Sequence, residues 1–189
     1  MDLDRVEVTP YITEADLQKK ITEIATQINE KLKNWKEPAL AICVLKGSFM
    51  FFSDLVRQIN SDIKCDFLSC SSYGSSNKSS GEVKLTLDLA SPIAGQNVII
   101  IEDIVDTGLT MSFLVESIKA RKPESITTVT LLDKKSARQN DFQPDIAGFE
   151  IPDEFVVGYG LDYNDYYRNL PYIATLRPQA IRRHAEKGA

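Results

Sequence analysis

Val98-Ile99-Ile100-Ile101-Glu102-Asp103-Ile104-Val105-Asp106-Thr107-Gly108-Leu109-Thr110 is the stretch that decides how the rest of the chain is read. Asn97 to Ile101 is a short, continuous apolar run with β-branched residues, the pattern of a strand buried on both faces. It delivers two adjacent carboxylates, Glu102 and Asp103, to its carboxyl end in an acidic turn. A third, Asp106, follows, and Thr107-Gly108-Leu109-Thr110 then opens a helix expected from about Thr110 to Arg121. Gly108 can take the positive φ of a tight turn and lets an anion approach the backbone. The free N–H groups of the helix start, with the hydroxyls of Thr107 and Thr110, form a phosphate cradle. Carboxylates beside such a cradle would repel its ligand unless they bind sugar hydroxyls or a metal ion. A phosphorylated sugar satisfies both halves of the pattern. The plain alternative is a strand, an acidic loop and a capped helix with no ligand at all. No G-x-x-x-x-G-K-[ST] segment is present, which disfavours a P-loop nucleotide hydrolase.

On the N-terminal side, Thr13 with Asp16 resembles a capping box. Leu17, Ile21, Ile24, Ile28 and Leu32 follow at helical spacing, which predicts an amphipathic helix from about Glu14 to Lys33, broken by Pro38. Ala39 to Leu45 predicts a second buried strand, Ser48 to Ile59 a helix, and Ile63 to Cys70 a strand. Ser71 to Gly81 is Ser-rich with almost nothing apolar to bury, so a mobile flap is expected there. Val83 to Leu89 alternates, as a strand with one wet face does. Towards the C-terminus, Ser125 to Leu132, Phe155 to Tyr159 and Tyr172 to Thr175 predict strands. Alternating strands and helices imply an α/β fold: a mostly parallel twisted sheet with helices on both faces. Ligands of such sheets bind beyond the carboxyl ends of the strands. No repeat or long linker divides the 189 residues, so one domain is expected.

Composition narrows the function classes. The chain is 43% hydrophobic and 26% charged, which is globular rather than disordered. No apolar run approaches the roughly 20 residues that cross a bilayer, and the acidic start Met1-Asp2-Leu3-Asp4 is unlike a secretory signal. A cytoplasmic protein without membrane partners is expected. Cys43, Cys65 and Cys70 form no C-x-x-C pair, and His184 is the single histidine, so a zinc site is disfavoured. A net charge of −5 argues against a broad nucleic-acid surface.

Five segments, in order, resemble the type I phosphoribosyltransferases, and their hypoxanthine-guanine branch in particular. Glu102 to Thr110 resembles the phosphoribosyl pyrophosphate motif. Leu45-Lys46-Gly47-Ser48 is similar to the pyrophosphate loop, and Ser72-Tyr73-Gly74 to the start of the flexible lid. Lys134-Lys135-Ser136-Ala137-Arg138 resembles the base-reading lysine and following arginine. Phe155 to Arg168 resembles the purine-binding hood. Leu109 stands where some members carry a basic residue, and Ser48 where others carry glycine.

The resemblance implies a core at about 38–135, a small hood from the N-terminal segment and about 140–180, and a flexible lid at Ser72 and Tyr73. It implies a cis peptide at Leu45–Lys46, with Leu45, Lys46, Gly47, Arg138 and Arg168 on pyrophosphate. Asp106, Thr107, Gly108, Leu109 and Thr110 would hold the 5-phosphate, and Glu102 and Asp103 the ribose hydroxyls or metal-bound water. Lys134, Phe155, Val156, Leu161 and Asp162 would hold the purine, and Asp162, with Glu102 and Asp103, would serve Mg²⁺. Asp106 is the implied catalytic residue, exchanging a proton at purine N7. Each position has a plainer reading: Lys46, Lys134, Arg138 and Arg168 as solvated cations, Phe155 as core, Asp162 as a turn residue, Tyr73 in an idle loop. The implied reaction joins hypoxanthine or guanine to the ribose 5-phosphate of phosphoribosyl pyrophosphate, in a homodimer or homotetramer. Two alternatives stay open: a related transferase for xanthine or another base, and a non-catalytic regulator that binds RNA on the same fold.

Overall fold

The computed structural model describes residues 8–72 and 83–176. Thr13 starts the first helix as expected, its hydroxyl accepting the Asp16 N–H at 3.2 Å. The elements run β1 (Val8–Ile12), α1 (Glu14–Leu32), β2 (Ala39–Leu45), α2 (Phe49–Val56), β3 (Ile63–Ser72), β4 (Val83–Leu87), β5 (Asn97–Val105), α3 (Leu109–Lys119), β6 (Ser125–Asp133), β7 (Ile146–Glu150), β8 (Val156–Val157) and β9 (Ile173–Leu176), with one 3₁₀ turn at Lys135–Ala137.

Six strands form one sheet in the order β4-β3-β2-β5-β6-β7. β4 is antiparallel to β3 and the other neighbours are parallel. Alternate residues of the central strands serve opposite faces. Ala39, Ala41 and Cys43 of β2 and Ile99 and Ile101 of β5 pack with α1 and α2. Leu40, Ile42, Val44, Val98 and Ile100 pack with Met111, Leu114 and Ile118 of α3. Burial on both faces is why β2 and β5 are apolar without a break. From β2 the chain crosses outward to β3, and from β5 it crosses the opposite way to β6. The strand order therefore reverses between β2 and β5, and a crevice opens beyond their carboxyl ends.

A second sheet, β1-β9-β8, is antiparallel and sits as the hood. β1 lies in the N-terminal segment assigned to the hood, although its five residues show no clear strand alternation.

Three expectations change. β5 does not end in an acidic turn at Ile101: Glu102, Ile104 and Val105 keep pairing with Thr130, Leu132 and Asp133 of β6. β7 lies within 140–180, the stretch assigned to the hood, yet it pairs with β6 as the edge of the large sheet. Its mixed sequence, Ile-Ala-Gly-Phe-Glu, is that of a half-covered edge rather than a buried strand. Ser71 and Ser72, expected in the flap, extend β3 and pair with Lys84 and Val83. Tyr73, the remainder of the flap to Gly81 and the tail from Arg177 lie outside the described residues.

Candidate active site

Three strand ends meet at the crevice. β2 ends in Leu45, joined to Lys46 by a cis peptide. Gly47 follows with no space for a side chain, since a Cβ there would lie 1.7 Å from Asp103 Oδ2. Ser48 is fully buried. Its hydroxyl donates to the Val44 carbonyl at 2.6 Å, so the loop absorbs it inside the helix start.

β5 carries the acids. Asp103 is buried, with Oδ1 accepting its neighbour Ile104 N–H at 2.8 Å. Burial, and then the charge of Asp103, pushes the Glu102 carboxyl well above the usual range. Burial also raises Asp103, partly offset by hydrogen bonds from Glu102 and Ile104. Two adjacent carboxyls in one enclosed place resist ionising together. Glu102 Oε2 is enclosed without a hydrogen-bond partner among the described residues, an acceptor left over for a ligand.

Asp106 then stands exposed at the rim, and the Thr107–Thr110 loop begins. Gly108 takes φ +82° as the cap of α3 and offers no side-chain cap, so the first-turn N–H groups are free of one. Thr107 Oγ1 accepts weakly from Leu109 N–H at 3.4 Å, while the Thr107 carbonyl accepts Gln139 N–H at 2.9 Å. The loop rests on the segment after β6: a Cβ on Gly108 would meet Asn140 Oδ1 at 2.3 Å and Arg138 Cδ at 2.6 Å. Asn140 in turn donates to Ser112 Oγ at 2.9 Å.

Arg138 is turned inward. Its guanidinium bonds the Asp133 carboxylate and donates to the Phe142 carbonyl at 2.7 Å. In this arrangement its side chain packs beside Gly108 and its guanidinium is engaged by protein partners, whereas the family resemblance implied a pyrophosphate ligand. Asp133, buried at the end of β6, is the reason: its charge must be met, and Arg138 meets it.

Lys134 follows directly. Its side chain is 8% exposed, and its ammonium lies 3.6 Å from Asp106 Oδ2 and 3.5 Å from Asp153 Oδ1. Its own N–H donates to the Val105 carbonyl at 2.9 Å, which fixes the lysine beside the end of β5. Across the crevice, Phe155 is exposed and meets Tyr163 edge to face, ring centres 5.6 Å apart. Val156 and Leu161 are buried behind it.

The hood closes on the β2 loop. Gly160 packs so tightly that a Cβ would lie 2.0 Å from the Gly47 carbonyl oxygen. Asn164 and Asp165, both at positive φ, form a two-residue hairpin turn between Tyr163 and Tyr166. Arg168 donates to the Gly160 carbonyl at 2.7 Å and pairs with Asp162 at 2.6 Å. Lys46 Nζ meets Asp165 Oδ1 at 2.9 Å. That bond, then Arg168, holds the Asp165 carboxyl below its usual range.

The structure thus gathers Leu45, Lys46, Gly47, Glu102, Asp103, the 106–110 loop, Lys134, Phe155, Asp162 and Arg168 around one crevice. Ser72 ends β3, an outer neighbour of β2. Asp153, Asp165 and Asn140 belong to this region and were not singled out from sequence. An acidic residue in a turn carries no mark of its partner, although Asp153 does lie two positions before Phe155. Among the described residues no three His, Cys, Asp or Glu side chains gather to hold a metal alone. Mg²⁺ commonly binds through one or two carboxylates with substrate phosphates and water, and the leftover acceptor on Glu102 suits that use.

A phosphoribosyl transferase domain model matches residues 12–164. A hypoxanthine-guanine phosphoribosyltransferase from Bacillus subtilis (strain 168) is 50% identical over 177 residues, 94% of this chain and 95% of that protein. One from Staphylococcus aureus (strain Mu50) is 45% identical over 89% of this chain and 93% of that protein. A crystal structure of the Bacillus anthracis hypoxanthine-guanine phosphoribosyltransferase superposes with a TM-score of 0.85 at 44% identity, covering 92% of this chain and all of that one. A domain model over most of the chain and identities of 44–50% at near-complete coverage lead to one conclusion: this chain belongs to the phosphoribosyltransferase family, among the hypoxanthine-guanine phosphoribosyltransferases.

Proposed function

We infer that the chain transfers the 5-phosphoribosyl group of phosphoribosyl pyrophosphate to N9 of hypoxanthine or guanine, giving IMP or GMP and pyrophosphate, in purine salvage. Identity of 45–50% over nearly the full length of enzymes of that name supports the activity. The observation that carries it is the position of Asp106, between the phosphate loop and the Lys134 ammonium 3.6 Å away. A ribose 5-phosphate in the loop directs its anomeric carbon towards the strand ends. Lys134, which carries only donors, suits the 6-oxygen of the base, and Asp106 then faces the adjacent N7.

In this reading Thr107, Gly108, Leu109 and Thr110 hold the 5-phosphate, Glu102 and Asp103 the ribose hydroxyls, and Phe155 stacks on the purine, with Val156 and Leu161 behind it. Lys46, Gly47 and Arg168 orient the pyrophosphate, and Arg138 serves them indirectly by bracing the phosphate loop. Asp106 takes a proton at N7 as positive charge builds on the base. Mg²⁺, when bound through Asp162, Glu102 or Asp103 and phosphate oxygens, would neutralise the leaving pyrophosphate. Most of the rate comes from holding base and sugar in line among fixed charges. A homodimer or homotetramer working in the cytoplasm completes the proposal. No helix of the described residues is long and apolar enough to cross a membrane.

Turnover with hypoxanthine, guanine, xanthine and adenine, phosphoribosyl pyrophosphate and Mg²⁺ tests the activity. Asp106→Asn tests the mechanism: turnover should fall about 10²–10⁴-fold, the range for general acid–base groups, while phosphoribosyl pyrophosphate binding stays near wild type. Unchanged turnover would remove Asp106 from the chemistry. Preference for xanthine would move the substrate within the same family. No turnover with any base, together with RNA binding that weakens with salt, would support the regulator instead.

A further inference from the structure

We propose that Asp153 is a positioning residue for base recognition: it holds the Lys134 ammonium at the purine edge and remains its counter-charge while Asp106 carries a proton. The inference rests on the reading of Lys134 as the donor to the 6-oxygen. Lys134 buries its stem, with 8% of its side chain exposed, and brings its charge to a site enclosed by strand ends. A charge so placed needs an opposite charge close by. Two carboxylates supply it, Asp106 at 3.6 Å and Asp153 at 3.5 Å. They are not equivalent. Asp106 leads into the phosphate loop and is the group proposed to take a proton during the reaction. At that moment its negative charge is lost and Asp153 alone faces the ammonium.

The fold fixes Asp153 for this use. It follows β7 in the turn leading to β8. Ile151 N–H donates to the carbonyl of Asp133, the residue before Lys134, at 3.0 Å. Glu154 N–H donates to the Pro152 carbonyl at 2.8 Å, bracketing Asp153 in a tight turn. The carboxylate is 66% exposed and makes no other ion pair among the described residues, so nothing else in the fold depends on it. It sits two residues before Phe155, which sets base stacking and ammonium position on one short segment.

Steady-state kinetics of Asp153→Ala, Asp153→Asn and Asp153→Glu test this, with Lys134→Met measured alongside to keep the stem and remove the charge. In Asp153→Ala and Asp153→Asn the KM for hypoxanthine and guanine should rise about three- to tenfold, the scale of a half-exposed ion pair. The KM for phosphoribosyl pyrophosphate should stay within about twofold and the melting temperature should not move, since an exposed carboxylate is removed. Asp153→Glu should restore most of the base affinity. Unchanged KM for the base in Asp153→Ala, with a raised one in Lys134→Met, would overturn the role of Asp153 alone. Unchanged KM in Lys134→Met would overturn the reading of Lys134 itself, and this inference with it. Equal rises in both KM values, or a lower melting temperature, would make Asp153 a purely structural residue and overturn the proposal as well.

Discussion

Gly47 and Lys134 each show one residue type forced by its surroundings. Gly47 lies against Asp103 on one side and Gly160 on the other, with no volume for a methyl group. Gly47→Ala should therefore displace Asp103 or the hood. Overpacking of this kind costs about 1–3 kcal/mol, so the melting temperature should drop by several degrees and kcat/KM should fall with it. Thermal unfolding and steady-state rates check both. Lys134 offers donors only, and adenine presents an amino group at position 6, donor against donor. Adenine should be a very poor substrate, since sites built around such a bond can discriminate by about 10⁴-fold or more. Adenine turnover comparable to hypoxanthine would refute the role of Lys134. Lys134 and Gly47 were singled out only by the family resemblance of their segments; read alone, Lys134 is a solvated cation and Gly47 part of an ordinary strand-to-helix turn. The inward turn of Arg138 was not legible, because its partner Asp133 looks like any other acidic residue at a strand end.

Elements are joined to one another at points that the sequence does not advertise. Tyr159 lies in the hood and Asp54 in α2, and the tyrosine hydroxyl bonds that carboxylate. Gln18 of α1 also donates to it, at 3.0 Å, and Arg57 pairs with it. Burial alone would raise the Asp54 carboxyl, but the bonds from Tyr159, Gln18 and Arg57 outweigh burial and hold it below its usual range. A carboxyl lowered in the folded state stabilises above its unfolded pKa of about 4 and loses that contribution as pH falls through the folded value. Asp54→Asn should lower the melting temperature at pH 7 and flatten its decline as the pH falls below about 4, the unfolded value of that lowered carboxyl. Melting curves across that range, wild type against variant, decide it. Helix α1 was readable from one spacing repeated over many residues, and strands β2 and β5 from unbroken apolar runs. β7 was missed because a short edge strand with glycine and alanine repeats nothing. The extension of β5 through Glu102 was missed because charged residues argue for a turn until a neighbouring strand is there to pair with them.

At the scale of the molecule, the large sheet encloses Cys43 between α1, α2 and its neighbours. Burial pushes its thiol up to about 11. Cys65 is exposed. Alkylation at pH 8 should therefore label Cys65 readily, whereas Cys43 should react only as fast as the whole core opens. Mass spectrometry of labelled peptides, with and without denaturant, measures this, and rapid labelling of Cys43 in native protein would mean that the α1–α2 face opens locally. The sequence by itself determined the α/β class, the parallel core and the strand, loop and helix start that carry the 102–110 segment. Periodicity, strand burial and helix-start chemistry are local properties written within a dozen residues. Only the tertiary structure decided that β7 completes the large sheet, that Arg138 packs beside Gly108, that Gly160 closes on Gly47, and that Lys134 stands between Asp106 and Asp153. Those pairings join residues far apart in the chain, and a charge or a glycine has no direction until the fold supplies its neighbour.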